Sequence, residues 1–290
     1  MTTYPDGPQG PDFAKNPGAM LVDLLEGGIE AHWNIEKHPK GYVNRELQEY
    51  TREAVTQDSS TSAITITAKK VSDHHITSGR INSNGKWSSG NSESTKRRGY
   101  LEVRAKFPAK SDGGRFKGAW PAVWMLGTGN GRHWPGEGEI DIMESVNGNP
   151  KVVMSLHSTH HHGGNAQHPP SGSLKANADF SRDGAILGLE WNVQDDKGQL
   201  DITWWISYFD LGTNSWKSMH STKVLFRSAG AGNDYNDFYN SFVKAPGFYA
   251  IINLAEGGEF PQVFDYSNTF VDGQPQYLIV DSAKVYQYTG

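Results

Sequence analysis

Period-two alternation is what most narrows the folds open to this chain. Residues 100–107, YLEVRAKF, set Leu101, Val103, Ala105 and Phe107 against Glu102, Arg104 and Lys106. An extended backbone would gather the apolar set on one face and the polar set on the other. AITITAKK (63–70) repeats the pattern with Ile64, Ile66 and Ala68 against threonines, and QLDITWWISYF, FYAIINL and YLIVDSAKVYQY continue it. Each reads as a half-buried strand. Turn-forming stretches such as NSNGKWSSGNSES, KSDGG and GTGNGRHWPGEG lie between them, and long segments of helical period are nearly absent. Many short strands in 290 residues predict an all-β fold: a β-jelly-roll sandwich of two curved antiparallel sheets with a concave cleft. No repeat or boundary divides the chain. The expected organisation is a flexible N-terminal segment over 1–20 and one domain over 21–290.

Charge and composition exclude several classes of function. With 27 basic and 32 acidic residues the net charge is -5, which argues against nucleic acid or an anionic membrane surface as partner. Cysteine is absent, so disulfides and thiolate chemistry are excluded. No apolar run approaches the roughly 20 residues that span a bilayer. The opening MTTYPDGPQGPDFAKNPG is no signal peptide, and a secreted protein whose signal has been removed is the expectation. Nine tryptophans and 12 tyrosines suit a β-rich protein that handles a polar ligand.

GEGEIDIMES (136–145) places Glu137, Glu139, Asp141 and Glu144 within eight positions. Glu139 and Asp141 share a face of a strand, whereas Glu144 is out of phase. A β-bulge absorbing Met143 would return Glu144 to that face, and bulges are frequent beside active sites. Carboxyls crowded in this way resist ionisation unequally, so one can stay charged while another holds its proton. That is the equipment of a retaining glycosidase: one glutamate attacks an anomeric carbon and the other protonates the departing oxygen. A solvated acidic strand is the plain alternative.

GEIDIME resembles the signature of glycoside hydrolase family 16, in its branch with the extra residue. NRELQEYT (44–51), ITSGRINSNGK (76–86), RRGYLEVRAKFP (97–108), GAWPAVWMLG (118–127), INLAEGG (252–258) and VDSAKVYQY (280–288) resemble further blocks of that family, in family order. The resemblance implies an endo-acting retaining hydrolase with Glu139 as nucleophile, Asp141 as its assistant and Glu144 as acid/base. It is nearest to the laminarinases, endo-β-1,3-glucanases that often also cut mixed-linkage glucans. Agarases and carrageenases, transglycosylases and non-catalytic glucan-binding proteins are the rivals. By the same resemblance Trp120 and Trp124 line subsites on the nucleophile side, while Trp134 and His157 lie near the acid/base. Arg80 and Asn44 contact the glycone, and Asp281 matches a position that in relatives helps hold a structural calcium. Catalysis itself requires no cofactor. The run SLHSTHHHGGNAQH, with His157, His160, His161, His162 and His168, fits no tetrahedral metal spacing and reads as a solvated loop.

Overall fold

The structure is a computed structural model that describes residues 2–90, 97–129, 133–158, 173–227, 239–243, 245 and 247–287. The jelly-roll expectation holds. A seven-stranded sheet runs in the spatial order Ser173–Lys175, Lys151–His157, Glu139–Glu144, Ala119–Gly127, Phe248–Glu256, Arg80–Asn82 and Asn34–Ile35, each pair antiparallel. A ten-stranded sheet packs behind it, with Arg98–Lys106 and Gln276–Gln287 near its centre. Its one departure from antiparallel pairing among the described residues is Gln48–Tyr50 beside His75–Ser78. The α-helix Ile29–His32 is a single turn.

The alternating segments form strands for the reason their pattern suggests: each sheet buries one face. Ile64, Ile66, Ala68, Leu101, Val103, Ala105 and Phe107 are all fully or almost fully buried, and meet Val123, Met125, Ile252 and Leu254 from the facing sheet. Removal of this apolar surface from water, at roughly 25 cal/mol per Å², is the main force holding the two layers together. Phe107 stacks on Phe180 with ring centroids 4.7 Å apart.

Residues 2–19, within the N-terminal segment expected over 1–20, make contacts with the rest of the domain. They lie across the outward face of the ten-stranded sheet, where Arg104 donates to the carbonyls of Pro5 and Gly7 and the Gln9 amide donates to Glu102 at 2.7 Å. Ala14 and Ala19 pack on Tyr100 and Tyr286 in a small second core. This cover explains why Glu102, expected on an open polar face, is only 2% exposed. Its carboxylate is satisfied by Arg104 at 3.1 Å and by the Tyr100 hydroxyl at 3.0 Å. Proline and glycine made the segment read as mobile, but those residues also allow an irregular chain to lie flat on a sheet.

Asp281 stands on the same outward face. It accepts from the Tyr4 hydroxyl at 3.0 Å and faces the Lys106 ammonium at 3.3 Å. Asp23 faces Lys284 at 3.5 Å in the same way. Calcium needs about six to eight oxygen ligands without competing cations, and the residues around Asp281 do not fit it.

Candidate active site

The strand Glu139–Glu144 carries the expected irregularity, displaced by one residue. On the tryptophan-bearing strand Ala119–Gly127, Asp141 pairs with Trp124, Met143 with Val123 and Glu144 with Ala122, so Ile142 is passed over. On the other side Asp141 pairs with Ser155 and Glu144 with Val153, three steps against two. The bulge spans Ile142 and Met143, and the unpaired residue is Ile142 rather than Met143. Both side chains are fully buried, since two consecutive apolar residues can both be driven into the core where the pleat is interrupted. Ala122 and Trp124 share a face, and so do their partners Glu144 and Asp141. At the bulge the Asp141 carbonyl accepts from the Trp204 indole, 2.7 Å away on the opposite sheet.

Each carboxyl has its own partners. The Trp134 indole donates to Glu139 at 2.9 Å, and the Trp120 indole donates to Glu144 at 2.9 Å. Asp141, between them, accepts from the Ser155 hydroxyl and lies 3.1 Å from His157 Nε2. The same nitrogen is 3.7 Å from Glu139. Glu139, Asp141 and His157 present donor atoms within 4.8 Å of one another, the one group of this kind among the described residues. Their arrangement serves equally as a proton-sharing cluster. His160, His161, His162 and His168 lie outside the described residues.

These surroundings separate the two glutamates. Burial first, and then the Asp141 charge, push the Glu139 carboxyl up to about 8, against the opposing pull of His157 and the Trp134 hydrogen bond. Burial and Asp141 hold Glu144 well above the ordinary carboxylate range; the Trp120 hydrogen bond opposes them, and the Glu139 charge adds to the rise. Burial disfavours charge on His157, but the hydrogen bond and charge of Asp141, with Glu139 and Glu144, raise it to about 9. His157 is therefore an imidazolium at neutral pH beside Glu139. Of the two glutamates, Glu139 gives up its proton first. Trp134→Phe would remove a donor to the Glu139 carboxylate, and its ionisation should move to higher pH. The acid limb of the pH–rate profile is expected to shift upward with it, while Trp134→Phe leaves the alkaline limb in place; a profile of kcat/KM against pH measures both.

The family model described as "XgeA-like, catalytic GH16 domain" matches residues 110–184, the stretch that includes the bulged strand. A beta-glucanase of Rhodothermus marinus is 27% identical over 274 residues, covering 88% of this chain and 79% of that protein. A glucan endo-1,3-beta-glucosidase of Cryptopygus antarcticus is 28% identical over 260 residues, covering 84% and 83% respectively. The crystal structure of a laminarinase from Flavobacterium sp. UMI-01 superposes with a TM-score of 0.65 at 27% identity, over 92% of this chain and 100% of that one. The chain is thus similar to glycoside hydrolase family 16, by the family model over the catalytic strand and by these relatives over most of its length.

Three of the positions inferred from likeness to family 16 stand, in the structure, beside the other glutamate. Trp120, expected on the side of Glu139, bonds Glu144, while Trp134, expected near Glu144, bonds Glu139. His157 pairs opposite Glu139 in the ladder and contacts Asp141, so it too lies at the Glu139 end. Antiparallel pairing is the reason: the chain of the tryptophan strand runs from Trp120 toward Trp124 as its neighbour runs from Glu144 back to Asp141.

The groove floor continues from Trp124 across neighbouring strands. The Trp124 indole donates to Asn253 at 2.8 Å, the Asn253 amide donates to the Tyr50 hydroxyl at 3.3 Å, and that hydroxyl donates to Glu46 at 3.2 Å. The Arg80 guanidinium lies over the Trp124 ring, 4.9 Å from its centroid, and pairs with Glu36 at 3.0 Å. Asn44 is exposed in a left-handed backbone conformation; it donates to Glu46 at 3.3 Å, and its carbonyl accepts from Glu259 at 2.9 Å. It braces a rim loop whose next residue, Phe260, packs edge-on against Trp120 at 5.5 Å. Ser155, Asn253, Tyr50 and Trp204 were not singled out from sequence. Only Ser155 had a local signal, standing two residues before His157 on the same strand face.

Proposed function

We propose that this protein is an endo-acting retaining glycoside hydrolase that cleaves internal β-1,3-glucosidic bonds of laminarin-type or mixed-linkage β-glucans. The observation that carries the reading is the bulged strand, which turns Glu139, Asp141 and Glu144 to one groove face and gives the outer two different partners. The Glu139 carboxylate attacks the anomeric carbon while Glu144 transfers its proton to the glycosidic oxygen, and the bond to the leaving sugar breaks. Water then enters. Glu144, now charged, takes a proton from it, the oxygen bonds to the anomeric carbon, and the ester to Glu139 breaks. Two inversions leave the β configuration retained. Asp141 holds Ser155 and His157 and keeps Glu144 protonated until the first step.

Trp120, Trp124 and Trp134 line the groove beside these groups, and indole faces suit the apolar C–H face of glucose rings. The resemblance to a beta-glucanase and a glucan endo-1,3-beta-glucosidase favours glucan over galactan. A sulfated galactan would want open cations, whereas Arg80 and His157 are both engaged by carboxylates. The reading needs no cofactor. It includes a monomer acting outside the cell, where a polymer of this size is met.

Laminarin, mixed-linkage glucan, agarose and carrageenan digested side by side test the assignment. Laminarin is expected to give short oligosaccharides early, with β-anomers appearing first by NMR. Initial α-anomers, or cleavage of a galactan in preference to both glucans, would overturn it.

A further inference from the structure

Beyond Trp124 the sheet extends over three more strands, and the margin of the groove carries an aromatic ring that the reaction above does not use. Tyr42 is 47% exposed. One face of its ring lies flat on His38, with centroids 3.6 Å apart and planes within 10°. His38 is itself held fast. Its backbone exchanges hydrogen bonds with Tyr50 at 3.2 and 2.9 Å, and its Nε2 lies 2.5 Å from Glu36. Glu36 also accepts from the Asn82 amide at 2.7 Å and pairs with Arg80, the residue over the Trp124 ring. Contacts therefore run unbroken from the Trp124 platform to Tyr42.

Register keeps this chain of contacts on the groove face. Ala122 pairs with Asn253 and Asn253 with Arg80, so Arg80 shares the face of Trp124 and Glu144. Tyr249 stands on the same strand face as Asn253, and Glu36, just past Asn34–Ile35, lies beside Arg80, its amide donating to the Arg80 carbonyl at 2.9 Å. Strands are spaced at about 4.8 Å, and Arg80–Asn82 lies three strands from Glu139–Glu144. The margin is thus several sugar rings from the scissile bond.

We propose that Tyr42, seated on His38, is the outermost sugar platform of the groove arm beyond Trp124, and that it sets the β-glucan chain length the enzyme uses efficiently. This rests on the β-glucanase reading. A ring with one face packed and the other open is preorganised for the C–H face of a glucosyl unit, and little side-chain freedom remains to be lost on binding. Bracing of the loop before Asn44 is the competing role.

β-1,3-Glucan oligosaccharides of graded length separate the two. The ratio of kcat/KM for long chains to that for short chains should fall about tenfold in Tyr42→Ala and in His38→Ala, and should persist in Tyr42→Phe, which keeps the ring. A Tyr42→Ala enzyme that loses the same factor at every length, or nothing at any length, would overturn the platform alone. A wild-type enzyme that cleaves no β-1,3-glucan oligosaccharide would overturn the β-glucanase reading, and the platform with it.

Discussion

Glu139→Ser should lower hydrolysis by about four to six orders of magnitude, the loss seen when a covalent nucleophile is removed, while oligosaccharide affinity changes little. The groove walls explain the second half. Trp120 is oriented by Glu144 and Trp124 by Asn253, and neither depends on Glu139. Azide sharpens the measurement. In Glu139→Ser it can enter from the face that the carboxylate held, so rescued turnover should give a glycosyl azide of inverted, α configuration. In a Glu144→Ala enzyme the same ion arrives after the covalent intermediate has formed and should give the β-azide. The two products, told apart by NMR, report which glutamate attacks. An α-azide from the Glu144 variant would exchange the roles.

Asp141→Asn should reduce kcat by about two to three orders of magnitude, within the range expected when general acid catalysis is impaired, and should move both limbs of the pH–rate profile to lower pH. The sign follows from the neighbouring charges. After burial, the Asp141 charge is the strongest influence raising both Glu139 and Glu144. Once it is neutral, both carboxyls ionise more readily, and Glu144 surrenders the proton it must donate at a lower pH than before. Losing Asp141 also weakens the hold on the His157 charge, which pushes Glu139 the other way. That opposing influence on Glu139 is smaller than the direct one, so the downward shift wins. A pH profile with unmoved limbs would mean that Asp141 serves only to position Ser155 and His157.

Much of the site was legible in the residues themselves. The phase break between Asp141 and Glu144 implied a bulge, because side-chain alternation is a property of one strand and needs no partner to define it. The strands YLEVRAKF and AITITAKK were legible for the same reason. Which residue the bulge leaves unpaired was not, since both Ile142 and Met143 are apolar and only the ladder to Val123 distinguishes them. The cover over Glu102 was hidden as well: its alternation marked a polar face correctly, and a segment some ninety residues earlier in the chain closed that face.

From the sequence alone came the sandwich, the carboxyl trio on one bulged strand and the tryptophans of the neighbouring one, because each is written in spacing along a few consecutive residues. The tertiary structure alone decided which indole serves which glutamate, how Asn253 and Tyr50 hold Trp124, that Trp204 reaches across the core to Asp141, and that Tyr42 lies on His38 at the groove margin. Those contacts depend on the register and curvature of strands far apart in the chain, and local alternation carries no record of either.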